Sequence, residues 1–358
     1  MCGRRGRPSS RAYGAPAVPR RHRSSRVRDA EAHEAKMHRC PQTTEVMPAV
    51  SRRLSASLAS LARGVVREGE PLSRRTTFGI GGPAALWFEP EGPDDLQAAL
   101  RFARDEGLDC IILGGGSNVL VGDRGILGLT LHLPARREEI TVEETGDAYV
   151  VTFPAGLSTA AVRRTARALG AVGPEFLVGI PGTLGGALQM NAGTRLGEMV
   201  DVVECAHVVT ADGAGWLDAE AFHFGYRHAE LPPGGVVTHL RLRFTKATPA
   251  RIAAAEQAAR AELARRHRTQ PRGRSAGSVF KNPPGDYAGR LIEAAGLKGR
   301  RVGGAVISPV HANFIVNDGG ATAADVLSLL RLCQARVEAC FGVALKLEIK
   351  LLGEFRCP

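Results

Sequence analysis

Cys110-Ile111-Ile112-Leu113-Gly114-Gly115-Gly116-Ser117-Asn118-Val119-Leu120-Val121 is a short apolar run, a triple-glycine turn and a second apolar run. Four apolar residues bounded by turn signals predict a short buried strand. Three glycines let consecutive backbone N–H groups close around an anion such as a pyrophosphate. The common dinucleotide fold needs G-x-G-x-x-G and then a helix, whereas Val119-Leu120-Val121 continues as strand. A dinucleotide fold here is therefore not the usual one, and read alone the segment is equally a plain glycine turn.

Upstream, Thr77-Phe78-Gly79-Ile80-Gly81-Gly82 and Ala85-Leu86-Trp87-Phe88 read as turn and strand. Asp94 and Asp95 open a helix carrying Leu96, Leu100 and Ala103 that stops at Gly107, so the region is a β-α-β unit with a glycine turn. Leu54, Leu58 and Leu61 recur at helical spacing after Ser51 and mark the start of ordered structure.

Downstream, residues 139–153 alternate polar and apolar, and Ser158 caps a helix. A second glycine-rich loop follows, Gly179-Ile180-Pro181-Gly182-Thr183-Leu184-Gly185-Gly186-Ala187, then strands near 200–209 and 236–244. A long helix rich in Ala, Glu and Arg over 250–268 stops before Pro271 and marks a domain boundary. The last hundred residues predict helices at 286–295 and 322–340, the second opened by the capping pattern Thr322-Ala323-Ala324-Asp325 and closed at Gly342. Val343, Leu345, Leu347, Ile349 and Leu351 alternate with polar neighbours, which is strand periodicity.

The chain has 358 residues and a formal charge of +11, about two domains by length. Residues 1–46 hold eleven Lys or Arg against four Asp or Glu, a net +7, so most of the excess sits in an Arg-, Ser-, Pro- and Gly-rich tail. Such a segment has too little aliphatic surface to offset its ordering entropy and is expected to be disordered. Targeting by the tail is not expected, because a secretory signal needs an apolar core, which is absent, and a transit peptide should lack Asp29, Glu31 and Glu34. Met37 or Met47 is an alternative start of translation. No run of about 18 apolar residues exists, which rules out a helical membrane span. Seven widely spaced cysteines without a C-x-x-C pair indicate neither a zinc site nor a disulfide framework, and no metal is expected.

Two glycine-rich loops in one domain suit one extended ligand, and Gln189-Met190-Asn191-Ala192-Gly193 adds amides suited to polar ring edges. Independent turns remain an alternative. Tyr226-Arg227-His228, Ser278 and Glu348 have no chemical signature in their spacing. Taken alone, Arg227 reads as a surface cation, Ser278 as a turn residue, and Glu348 as the partner of Lys346 and Lys350 on a solvated face.

The wording of the sequence goes further. Thr76-Thr77-Phe78-Gly79-Ile80-Gly81-Gly82-Pro83-Ala84, Gly114-Gly115-Gly116-Ser117-Asn118, Ile180-Pro181-Gly182-Thr183-Leu184-Gly185-Gly186, Met190-Asn191-Ala192-Gly193, Gly225-Tyr226-Arg227, Thr269-Gln270-Pro271, the stretch 277–283 and His311-Ala312-Asn313-Phe314-Ile315-Val316-Asn317 occur in this order. Over residues 54–353 they closely resemble the UDP-N-acetylenolpyruvoylglucosamine reductases. The short interval between Ser278 and His311 is similar to the shorter class of that family, without an inserted, tyrosine-bearing segment. Two departures stand out: Ala229 where the family usually has Ser, and Thr194-Arg195-Leu196-Gly197 where Ala-Tyr-Gly is commoner.

The resemblance implies an α+β or α/β flavoenzyme of peptidoglycan synthesis. It would have a basic tail at 1–50, an FAD-binding domain of the vanillyl-alcohol-oxidase type at 51–246 in two subdomains, and a smaller α/β substrate-binding domain at 247–358. It implies non-covalent FAD held between the glycine loops by Gly114, Gly115, Gly116, Ser117, Asn118, Gly182, Thr183, Gly185, Gly186 and Asn191. NADPH is the implied hydride donor, and Arg227, Ser278 and Glu348 match the catalytic positions. Tyr226, Lys281 and Asn282 match substrate positions, with Lys281 and Asn282 meeting the diphosphate. A cytoplasmic monomer is expected, with no membrane partner and no nucleic acid beyond non-specific binding by the tail. The alternatives are a related flavin oxidase or dehydrogenase with another substrate, and a nucleic-acid binder using the tail.

Overall fold

The computed structural model describes residues 47–355, with side chains from 51. The expected disordered tail and the cysteines at 2, 40 and 357 lie outside the described residues. Helix α1 (Met47–Leu61) begins ahead of Ser51 and buries Leu54 and Leu58.

The first sheet is built from β1 (Val65–Pro71), β2 (Pro83–Glu89), β3 (Cys110–Ile112) and β5 (Ile126–Leu131), in the order β1-β2-β5-β3. Between β2 and β3 runs helix α2 (Pro93–Asp105), with Asp94 and Asp95 in its first turn, where acidic side chains favour the helix dipole. Leu86 and Phe88 of β2 pack with α1 and α2, while Ala84 and Trp87 enter a second cluster on the other face. A strand covered on both faces reads as continuous apolar sequence, and fully burying each such large side chain contributes about 1.5–3 kcal/mol.

Strand β3 corrects the expectation of a buried strand at 110–113. Only Leu113 is buried, and Ile112 is 44% exposed. The strand lies at the sheet edge, and Ile112 faces a large cavity. The triple-glycine turn then leads into β4 (Val119–Val121).

The second sheet contains β6 (Thr141–Thr145), β7 (Ala148–Pro154), β8 (Ala171–Val172), β11 (Val203–Val209), β12 (Ala214–Asp218) and β13 (Val236–Lys246). Its order is β12-β11-β13-β7-β6, with β8 against β13, and every pairing is antiparallel. Helix α3 (Thr159–Ala168) is capped by Ser158, whose hydroxyl accepts from the Ala161 amide at 3.3 Å. Helix α4 (Leu184–Gln189) and the small hairpin β9 (Gly193–Thr194) and β10 (Gly197–Glu198) complete the unit. Helix α5 (Pro249–Thr269) follows β13.

The last unit has helix α6 (Ala288–Ala294), a three-stranded sheet of β14 (Arg301–Val302), β15 (Ala305–Ile307) and β16 (Ile315–Asn317), and helix α7 (Ala323–Phe341). Helix α6 is shorter than expected, starting after Asp286. Helix α7 has the expected capping box at Thr322 and Asp325 and ends at Gly342 with φ +67°. Asp123 adds a cap from across the chain, accepting from the amides of Ala323 and Ala324 at 2.8 and 3.0 Å.

The strand expected over 343–351 is only partly formed. β17 (Lys350–Leu352) pairs in parallel with β4, while the preceding residues make the isolated bridge Phe280↔Leu347. Leu345 and Ile349 are buried as the alternation requires. Alternation decides which side chains face inward, whereas a ladder needs a regular partner, and the neighbouring segment is irregular. Phe78, Ile80 and Leu120 join the core formed by α6, α7 and the three-stranded sheet. The C-terminal core is thus stitched to the N-terminal part of the chain by the side chains of Phe78, Ile80 and Leu120 and by the β17–β4 pairing.

Candidate active site

The two glycine-rich loops touch. A Cβ on Gly115 would stand 2.7 Å from the Cα of Gly182, and one on Gly114 would stand 2.4 Å from Thr183 Oγ1. The Ser117 hydroxyl donates to the Pro181 carbonyl at 3.1 Å. The loops abut at these points, and together they form one wall of a cavity of about 760 Å³. Among the described residues, the amides of Gly114 through Asn118 meet no protein acceptor. Such a row of free donors, approached closely because no side chain intervenes, suits a diphosphate. The residues present therefore fit a dinucleotide cofactor such as FAD.

Asn118 also holds the opposite side of the site. Its Nδ2 donates to the Glu348 carbonyl at 3.2 Å, and its own carbonyl accepts from the Lys350 amide at 2.9 Å. The Glu348 carboxylate lies 3.5 Å from Arg227 Nε, with side-chain exposures of 16% and 26%. The surface readings of both residues are thereby overturned. Burial pushes the Glu348 carboxyl up from its usual range, and the charges of Arg227 and then Lys281 oppose this.

Arg227 has φ +55°, a left-handed conformation that costs a non-glycine residue on the order of 1–3 kcal/mol. Its Nη2 donates to the Gly193 carbonyl at 3.1 Å. Ser278 lines the same cavity, and its hydroxyl has no hydrogen-bond partner among the described residues. Asn282 lines it too; its Oδ1 accepts from the Ala288 amide at 3.1 Å, capping α6 and leaving the amide nitrogen free.

Of the expected site residues, Gly114, Gly115, Gly116, Ser117, Asn118, Gly182, Thr183, Gly186, Arg227, Ser278, Asn282 and Glu348 line the cavity. Four do not. Gly185 packs against Ala155, where a Cβ would come within 3.1 Å. Asn191 is buried with both ends of its amide engaged, donating to the Gly225 carbonyl and accepting from the Val200 amide. Tyr226 is exposed, its ring 5.3 Å from the Arg227 guanidinium. Lys281 points to the back of the Arg227 loop, its Nζ donating to the Arg227 carbonyl at 3.3 Å.

Sequence reasoning missed Arg195, Glu262, Arg265, Arg266, Tyr287 and His311, which also line the cavity. The sequence marks α5 only as a long helix rich in Ala, Glu and Arg at a domain boundary, yet Glu262 is only 2% exposed and pairs with Arg265 at 2.6 Å and Arg195 at 2.7 Å. Hydrogen bonds from Arg265, then Arg195, hold the Glu262 carboxyl down at about 2. Arg195 belongs to the departing loop, which forms the β9–β10 hairpin and is tied to α5 by this pair. The other departure, Ala229, is buried, its amide donating to the Gln189 carbonyl. His311 Nδ1 accepts from the Asn313 amide, and burial lowers the proton affinity of the ring.

The family model described as "UDP-N-acetylenolpyruvoylglucosamine reductase, C-terminal domain" matches residues 269–352, and one described as "FAD binding domain" matches 84–215. A UDP-N-acetylenolpyruvoylglucosamine reductase of Anaeromyxobacter dehalogenans is 51% identical over 300 residues, covering 83% of this chain and 89% of the relative. That of Myxococcus xanthus is 48% identical, covering 86% and 98%. The crystal structure of the Thermus caldophilus enzyme of the same name is 39% identical and matches with a TM-score of 0.67 over 81% of this chain and 99% of that one.

Proposed function

The chain belongs to the UDP-N-acetylenolpyruvoylglucosamine reductase family, and from that premise we propose how its own residues carry out the family's reaction. The enzyme reduces the enolpyruvyl ether of UDP-N-acetylglucosamine to UDP-N-acetylmuramate for peptidoglycan synthesis, with FAD and NADPH. When bound, FAD supplies the hydride chemistry. The amides of residues 114–118 would hold its diphosphate, with Gly182, Thr183 and Gly186 completing the wall.

Hydride arriving at the terminal carbon of the enol ether leaves negative charge on the adjacent carbon and the carboxylate. Arg227 meets that charge with a planar fork matched to a carboxylate, and stabilisation aimed at developing charge is commonly the largest catalytic contribution. Ser278 Oγ delivers the proton that completes the lactyl ether. Glu348 orients Arg227, and its raised proton affinity suits it to donate a hydrogen bond to the dianion. Asn282 takes the sugar-nucleotide diphosphate, and the ring of Tyr226 backs the Arg227 guanidinium. The FAD-binding part spans 51–246 and the substrate part 247–358.

The observation that supports this reading is the single cavity shared by the free amides of the first glycine loop, the Arg227–Glu348 pair and the Ser278 hydroxyl. Among the described residues no helix is long and apolar enough to cross a membrane, and we expect a cytoplasmic monomer. The test is NADPH oxidation by purified protein with and without the enolpyruvyl sugar nucleotide. A yellow protein whose NADPH oxidation requires that substrate is expected; a preparation that stays colourless after incubation with FAD overturns the proposal.

A further inference from the structure

Arg227 is gripped at three points. Gly193 and Glu348 hold its guanidinium, and Lys281 Nζ holds its main-chain carbonyl at 3.3 Å. Around it, the Gly225 amide donates to the His228 carbonyl at 2.9 Å and the His228 amide returns to Gly225 at 3.2 Å, closing a tight turn with Arg227 at φ +55°. Such a conformation persists in a non-glycine residue only where its surroundings over-determine it.

Lys281 and Glu348 reach this turn from one rigid unit. The Glu348 amide donates to Val279, and the Lys281 amide donates to Lys346, both at 2.9 Å. Ser278, Lys281 and Glu348 therefore move together. Lys281 does not line the cavity, and its ammonium is half-buried, with Glu348, Arg227, Lys346 and Lys350 as its charged surroundings.

We infer that Lys281 is a positioning residue, which locks the left-handed turn of Arg227 onto the segment that carries Ser278 and Glu348 and does not bind the sugar-nucleotide diphosphate. The inference rests on the proposed role of Arg227. Releasing the carbonyl lets the turn relax, and misplacing a catalytic group by about 1 Å costs on the order of 10²-fold. The effect falls on turnover and spares affinity for the sugar nucleotide.

The test compares Lys281→Met, Lys281→Arg, Arg227→Lys and the double variant Arg227→Lys/Lys281→Met, all as FAD-loaded protein. Lys281→Met is expected to lower kcat about 10²-fold while the Kd for UDP-N-acetylmuramate, by calorimetry, stays within about twofold. Lys281→Arg, which keeps a donor, restores most of the rate. The double variant is no slower than Arg227→Lys alone, as expected of residues acting as one unit. Hydrogen exchange at the Gly225 and His228 amides accelerates in Lys281→Met, and this readout stands even if that variant retains no flavin.

A weakened product Kd with unchanged kcat makes Lys281 a diphosphate ligand and overturns the inference, as do multiplicative losses in the double variant or unchanged exchange. Normal turnover by Arg227→Lys instead overturns the catalytic reading of Arg227 itself, and the inference with it.

Discussion

Nε of Arg227 lies 3.5 Å from Oε1 of Glu348, joining the loop before β13 to the segment that leads into β17. Both residues line the cavity; burial disfavours the Glu348 charge and the Arg227 charge opposes that effect, and a guanidinium is a planar fork able to give two parallel donors to a carboxylate.

Arg227→Lys keeps the charge and loses that geometry. Turnover of the enol ether is expected to fall by about 10² to 10³-fold, the range for removing one donor aimed at developing negative charge. Flavin content should be normal. Near wild-type steady-state rates would return Arg227 to the role of a surface cation.

Ser278→Ala separates the two halves of the reaction, because only the second needs a proton at carbon. Reduction of the bound flavin by NADPH should keep its rate, whereas reoxidation by the enolpyruvyl substrate should slow by roughly 10² to 10⁴-fold. Stopped-flow absorbance follows both. Equal slowing would give Ser278 a structural role, and no slowing would move the donor elsewhere, Glu348 being next.

Gly115→Ala tests the joined glycine loops. Its Cβ would press on the Gly182 backbone at 2.7 Å, and overpacking of this kind costs about 1–3 kcal/mol. Separating the loops should weaken FAD binding by about 10- to 100-fold, read as the flavin-to-protein ratio after dialysis. Full retention of flavin would mean that the contact is not needed for the cradle.

Glu262→Gln tests the link between α5 and the β9–β10 hairpin. Because Arg265 and Arg195 hold the carboxyl at about 2, below its unfolded value of 4.5, its stabilisation is complete above pH about 4.5 and fades as pH falls through about 2. Loss of the charge should cost on the order of 1–3 kcal/mol at neutral pH. Urea denaturation at several pH values should show the two proteins converging in acid. A constant difference down to pH 2 would rule out the ion pairs as its source.

Asp123→Ala removes the second cap of α7 and one tie between the β4–β5 loop and the C-terminal core. A loss of about 0.5–2 kcal/mol is expected, visible as a lowered Tm with unchanged kcat. An unchanged Tm would leave the Thr322 capping box as sufficient.

Local signals in the chain determined much of this protein. The capping box at Thr322, the Ser158 cap, the strand after Asn118 and the ordered motifs of the glycine loops are written in neighbouring residues, where spacing and backbone preference act without the rest of the molecule. Only the tertiary structure decided that Gly115 abuts Gly182, that Glu262 is buried beneath Arg195 and Arg265, that the alternation at 343–351 yields a ladder only at its end, and that Lys281 turns to the Arg227 carbonyl. Each depends on segments far apart in the chain. Periodicity states which side chains point together, while the partner, its distance and the water it excludes exist only once those segments have packed.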